Sequence, residues 1–331
     1  MAPDRDQRVR IGSLINTNSE PRELQRRPAP RIQNTIWEHR SYYLMNGTLT
    51  YPFPNDETEN DRLDIFHYLI HDIALYKKLH MSNLQPKSRR QRALDVGYGT
   101  GIWCYEMAIE NPQWDVIGID LFANQPRRDS EVPNAQFHTP VDFTAPEWPF
   151  HRNELDFIRN ACLAGCVPDW HDHWHKNFRY LRPGGSVDYF EVDWALQYPA
   201  HFQLPPHAHP ALQLWNAMQQ ASSRFGKPIA YPDNTRAMML NAGFTDPIHQ
   251  VIRIPFQPRP EKREQRLEQW CKEAMYRRRP GVYPHGVETL EGMCMWLLTQ
   301  QLGFQPNDVR RLCNDARGVC DSRQLPLFHE L

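Results

Sequence analysis

Hydrophobic positions along this chain change their spacing near residue 93. Before it, Leu63, Phe66, Ile70 and Ile73 recur at helical intervals, so a helix with one buried face is expected from about Asp56, with Glu59 as its capping-box partner. After it, short apolar runs alternate with helical stretches. Ala93–Val96, Val116–Leu121, Ala135–His138, Leu155–Arg159 and Ser186–Val192 read as strands, and Trp170, Trp174, Phe178 and Leu181 form one apolar helical stripe. Pro183-Gly184-Gly185 breaks the chain before the fifth strand. Strands separated by helices imply parallel βαβ units and a doubly wound α/β sheet. Further on, helices are expected near 212–225, at Met238 and Leu240, and near 261–279, 288–302 and 307–320, with a sixth strand over Ile248–Phe256.

This pattern divides the chain into a polar, Arg/Pro-rich disordered tail (1–34), an N-terminal helical cap (35–92), a Rossmann-like core (93–258) with an insertion near 197–227, and a C-terminal helical segment (259–331). Composition narrows the partners. The formal net charge of -1 gives no global attraction to nucleic acid or an anionic membrane, and no apolar run is long enough to span a bilayer. Seven scattered cysteines in a chain without a secretory signal read as reduced thiols in a nuclear or cytoplasmic protein. The basic cluster Arg22, Arg26, Arg27 and Arg31 is broken by Glu23 and prolines, and reads as part of a solvated tail.

The chemistry concentrates where the first strand ends. Gly97, Gly99 and Gly101 alternate in a turn that leads directly into a helix, which lets the backbone approach a ligand closely. Asp120 ends the second strand 19 residues after Gly101, where a carboxylate can accept from both hydroxyls of a ribose. A dinucleotide fingerprint would need glycine where Ile102 stands, and a P-loop would need Gly-Lys-Ser/Thr. Asp95, just before the turn, suits a cationic or amine-bearing ligand. These features favour S-adenosylmethionine over NAD.

Bland alternatives accompany each residue. Asp120 can cap a strand end, and Asp142 can satisfy itself in a turn. Glu191 and Asp193 end the fifth strand, facing either a substrate or solvent. His67, on the leader helix, is a candidate general base or an ordinary half-buried histidine. His171, His173 and His175 flank the tryptophan stripe rather than converge, and His207 and His209 lie in a proline-rich loop, so no metal site is expected.

The segment Asp95-Val96-Gly97-Tyr98-Gly99-Thr100-Gly101 with Asp120, and Leu181-Arg182-Pro183-Gly184-Gly185, resemble the class I S-adenosylmethionine-dependent methyltransferases. The leader from Pro54 to His67, together with Gly101-Ile102-Trp103, Pro140-Val141-Asp142-Phe143, Pro228-Ile229-Ala230 and Ala242-Gly243-Phe244, resembles the fungal LaeA-like members. The resemblance spans about residues 37 to 325. It implies that Asp95 and the three glycines hold the methionine portion and Asp120 with Leu121 the ribose. It also implies that Asp142 and Phe143 meet the adenine and that Asn160 lines the reactive side. For function it implies a regulator of secondary metabolism that acts with velvet-type proteins, or a pathway enzyme that methylates a small-molecule acceptor. Two departures would favour a third reading, a cofactor-binding scaffold without transfer activity. Tyr98 replaces a usually small residue, and the usual seventh, antiparallel strand has no evident counterpart before Leu325–Leu331.

Overall fold

The computed structural model describes residues 32–38, 40–45, 48–68, 70–71, 75, 77–123, 132–255, 289–321 and 328–330. It opens with an antiparallel sheet of β1 (Ile32–Trp37), β2 (Arg40–Met45) and β3 (Thr48–Leu49), in that order. The N-terminal cap is therefore not helical throughout, and ordered backbone begins inside the segment expected to be a tail. Aromatic residues suit a pleated surface, and Tyr42 on β2 is fully buried. Helix α1 (Glu57–Tyr68) follows at the expected place. Asp56 caps it, its Oδ1 accepting from the Glu59 amide at 3.1 Å, but the Glu59 carboxylate turns to Arg62 instead of completing the box. Beyond α1 the backbone widens into a π turn, in which the Leu75 amide donates to the Ile70 carbonyl at 2.8 Å.

The core contains β4 (Gln91–Val96), α2 (Ile102–Glu110), β5 (Trp114–Ile119), β6 (Ala135–His138), β7 (Leu155–Ala161), α3 (Trp170–Tyr180) and β8 (Leu181–Phe190). The strands form one parallel sheet in the order β6-β5-β4-β7-β8. Strands covered on both faces are buried almost throughout, as β4, β5 and β7 are, and the polar side chains they carry, such as Asp95, Asp156 and Arg159, are paired. The chain reverses direction across the sheet between β4 and β7, which creates the crevice where ligands of this fold bind. Two details differ from expectation. Strand β8 runs through Pro183-Gly184-Gly185, and a register shift between Leu155 and Phe157 accommodates it. On α3, Trp170 and Trp174 are buried, but Phe178 is exposed and Leu181 belongs to β8. His173, Lys176, Asn177 and Tyr180 complete the inner face.

The remaining elements are β9 (Asp193–Gln197), α4 (His209–Phe225), α5 (Thr235–Ala242), β10 (Arg253–Pro255), α6 (Thr289–Leu302), α7 (Pro306–Asp321) and β11 (Phe328–Glu330). Strand β11 lies between β10 and β9, antiparallel to both. A last antiparallel strand is thus present. It is only three residues long, too short to leave an apolar alternation in the sequence. The C-terminal helices reach back to the first sheet, where the Tyr42 hydroxyl donates to the Gly292 carbonyl at 3.4 Å and Arg310 pairs with Glu38 at 2.6 Å. The helix expected near 261–279 and the basic cluster Arg22–Arg31 lie outside the described residues. Among the described residues, no helix is long and apolar enough to cross a membrane.

Candidate active site

Strand β4 delivers the chain into the turn Gly97–Gly101 with φ of 68°, 57° and 76° at its three glycines, a left-handed backbone that side chains resist. A Cβ on Gly101 would lie 2.7 Å from the Phe137 ring, and one on Gly97 3.1 Å from Leu163. The Asp120 carboxylate locks the turn, with Oδ2 accepting from the Gly99 amide at 2.9 Å and Oδ1 from the Phe122 amide at 3.1 Å. Part of the residue reaches solvent, yet the carboxylate is enclosed. Burial pushes it up to about 6 against the downward pull of those amides. A carboxylate has about four acceptor positions, and these backbone amides, with that of Leu121, do not fill them all. Leu121 follows at the same strand end and is half-buried.

Tyr98 does not crowd this turn. Its ring passes beneath it onto Gly118 and Phe137, and its hydroxyl donates to the Phe122 carbonyl at 3.0 Å. A tyrosine fits because position 118 has no side chain. Phe143 packs 3.6 Å from where a Gly97 Cβ would stand, and its carbonyl accepts from the buried Lys176. Lys176 also holds the carbonyls of Thr144 and Ala145 at 3.1 Å, pinning the loop after β6. Asp142 satisfies itself, its Oδ1 accepting from the Thr144 amide and hydroxyl at 2.8 and 2.6 Å.

Two expected residues sit behind the site. Asp95 is buried and pairs with Arg159 at 2.7 Å, directly opposite it in the β4–β7 register. Asn160 is fully buried, its amide held between His173 at 2.8 Å and Asn177 at 3.0 Å. Burial pushes His173 down to about 3, which keeps it neutral. Arg159, Ala161 and Cys162 line the crevice wall here. The sequence signal for Arg159 was a cation late in a buried strand, complementary to the anion near the end of its neighbour.

The crevice encloses about 820 Å³ of space when counted out to its open mouth. Gly97 and Gly99 form its floor. Tyr51 and Phe53 after β3, Phe66 and His67 on α1, and Met293 on α6 form its roof, so both ends of the chain cover it. Helix α1 is tied to the floor directly, the Thr100 hydroxyl donating to Asp64 at 2.5 Å. His67 lines the roof with its Nε2 2.7 Å from Glu106 on α2. Glu191 is buried in the wall and its oxygens accept from the amides of Ala164 and Val192. Burial pushes it up to about 7, against the pull of those bonds.

Residues 66–247 match the model of a methyltransferase domain, more than half of the chain. The chain is 32% identical to the secondary-metabolism regulator of Cochliobolus heterostrophus over 242 residues, covering 72% of this chain and 76% of that protein. It is likewise 32% identical to the protein-methionine methyltransferase LaeA of Emericella nidulans over 304 residues, covering 89% of this chain and 76% of that one. The chain belongs to the LaeA-like methyltransferases. It is therefore an S-adenosylmethionine-dependent methyltransferase with a Rossmann-like fold. The LaeA-like floor fits that cofactor: a left-handed glycine cradle a Cβ would fill, Asp120 with acceptor capacity left for a ribose, and the Arg159 cation in the adjoining wall. With Tyr98 turned inward and β11 in place, neither departure that pointed to an inactive scaffold stands. Among solved structures, the chain is similar to a phosphoethanolamine N-methyltransferase of Haemonchus contortus, 15% identical over 88% of this chain and 60% of that one, with a TM-score of 0.45.

Proposed function

We propose that this LaeA-like protein is a regulator of fungal secondary metabolism that methylates a soft, uncharged acceptor, the thioether of a protein methionine. The observation that carries this reading is the wall facing the donor. Beside the charged Arg62, Arg159 and Glu191, it presents Phe53, Phe66, Trp103, Trp194 and Ile229, an aromatic surface that favours sulfur. Its two candidate bases are already engaged, His67 with Glu106 and Glu191 with two backbone amides. A thioether has no proton to lose and needs neither. The printed name of the Emericella nidulans relative supports the same acceptor.

S-adenosylmethionine supplies a methyl group activated on a sulfonium. The chain's own part is to position the acceptor in line and to exclude water. Because positive charge passes to the acceptor sulfur, the product side favours the ionised form of Glu191, whose carboxyl burial has pushed up to about 7. The nuclear setting and velvet-type partners extend this reading and rest on the resemblance of the Pro54–His67 leader.

The test pairs two measurements. Incubation with isotope-labelled donor should label peptides containing methionine and spare the same peptides carrying norleucine. Equal labelling of both, or label found solely in small metabolites, overturns the acceptor. Deletion of the gene should then remove many unrelated metabolites, whereas one accumulating unmethylated precursor would make the protein a pathway enzyme.

A further inference from the structure

Next to the crevice, at the contact of α1 with α2, three metal-ligating side chains converge outside the methyl-transfer machinery. His67 and His71 are four residues apart, and their rings stack at 5.4 Å. Glu106 approaches from the facing helix, its Oε2 2.7 Å from His67 Nε2 and 3.8 Å from His71 Nδ1. One donor atom from each residue lies within 4.8 Å of the other two. The group is sheltered, with side-chain exposures of 5%, 14% and 25% for His67, His71 and Glu106. It also coincides with the π turn at Ile70–His71, and such turns concentrate at functional sites.

We propose that His67, His71 and Glu106 bind a divalent transition metal of the zinc type. The donors select the class of ion. Two imidazoles and one carboxylate suit Zn²⁺ and its neighbours, whereas Mg²⁺ and Ca²⁺ require mainly oxygen. Three ligands leave one coordination position for water or a crevice-bound group, and small side-chain movements bring the donors to the ~2.0–2.2 Å that zinc requires. Because His67 lines the crevice roof and Glu106 lies on the helix that follows the glycine turn, the ion would join the cap to the cofactor-binding core. The rival location is His171 with His175 on α3. Those rings lie 4.6 Å apart, but His171 is exposed and, among the described residues, no third ligand joins them.

The test is a titration of the full-length protein with Co²⁺, whose visible absorption reports coordination. One equivalent should bind with four-coordinate band intensities. His71→Ala and Glu106→Gln should each weaken binding by at least about tenfold, the usual size of a ligand-shell defect. The double variant His171→Ala/His175→Ala should leave it unchanged. His71→Cys should restore one-equivalent binding and add a sulfur-to-cobalt charge-transfer band that both the wild-type protein and His71→Ala lack, with the circular-dichroism spectrum of the wild type retained. The proposal is overturned if the wild-type protein does not bind Co²⁺. It is equally overturned if the α3 double variant abolishes binding, if His71→Ala retains it, or if the wild-type complex already shows the sulfur band, which would place the ion on the cysteines. None of these readouts depends on methyl transfer.

Discussion

The floor and the roof of the crevice are built in opposite ways. The floor is local: one stretch from Gln91 to Asp120 supplies strand, turn, helix and carboxylate, and Asp120 locks the turn with a bond to Gly99. The roof is assembled from segments far apart in the chain, joined by contacts such as Tyr42 to Gly292 and Glu38 to Arg310. A local unit can hold a constant ligand, while a composite one can change its acceptor without disturbing the donor. The comparison predicts that floor variants lose cofactor affinity first and that roof variants lose stability and acceptor turnover first.

The largest effect is expected at the floor. Gly101→Val combines a side chain at φ 76° with a Cβ 2.7 Å from Phe137, and calorimetry should find no binding of S-adenosylhomocysteine. Asp56→Ala is the matching cut in the roof. Asp56 holds the buried Arg40 through two bonds at 2.6 and 2.8 Å and caps α1, so thermal or urea unfolding should register a loss of about 3–5 kcal/mol. Its affinity for S-adenosylhomocysteine should stay within about threefold, roughly 0.6 kcal/mol. A parallel collapse of that affinity would show that floor and roof are one unit.

The next effect is on pH. Asp120 must be ionised to accept from a ribose, and burial places its titration near 6. Affinity for S-adenosylhomocysteine should therefore be constant above pH 6 and fall by up to about tenfold per unit below it, a slope that Asp120→Asn removes. Stability of the free protein moves the other way. A carboxyl raised from 3.8 to about 6 lowers stability as pH climbs through that interval, and the loss is complete above it. The smallest change is Tyr98→Phe, which removes one hydroxyl bond to Phe122 and should cost about 1 kcal/mol in a thermal melt without altering cofactor affinity.

The same division explains what the sequence revealed. Strands β4 to β8, the glycine turn and Asp120 were legible because each is written in consecutive residues. The hairpin of β1 and β2 was not, since Tyr42 is buried by packing against residues such as Gly292 that no local pattern couples to it. Asp95 was recognised as important, but its pairing with Arg159 was not. Its partner Arg159 lies on a neighbouring strand, and register becomes known only when the sheet is assembled. Asn160 shows the same limit, as His173 and Asn177 claim its amide from a helix.

Strand β11 has a consequence for solubility. By entering between β9 and β10, it leaves β10 as one margin of the smaller sheet. Within the described residues that margin carries Pro255, which has no amide to offer. At the margin of the main sheet, β6 is four residues long and runs into Thr139-Pro140. Proline thus limits pairing at both of these margins. The longer margins are β8, on the other side of the main sheet, and β1, which carries the exposed Ile36 and Trp37, so edge-to-edge pairing between copies is expected to begin there.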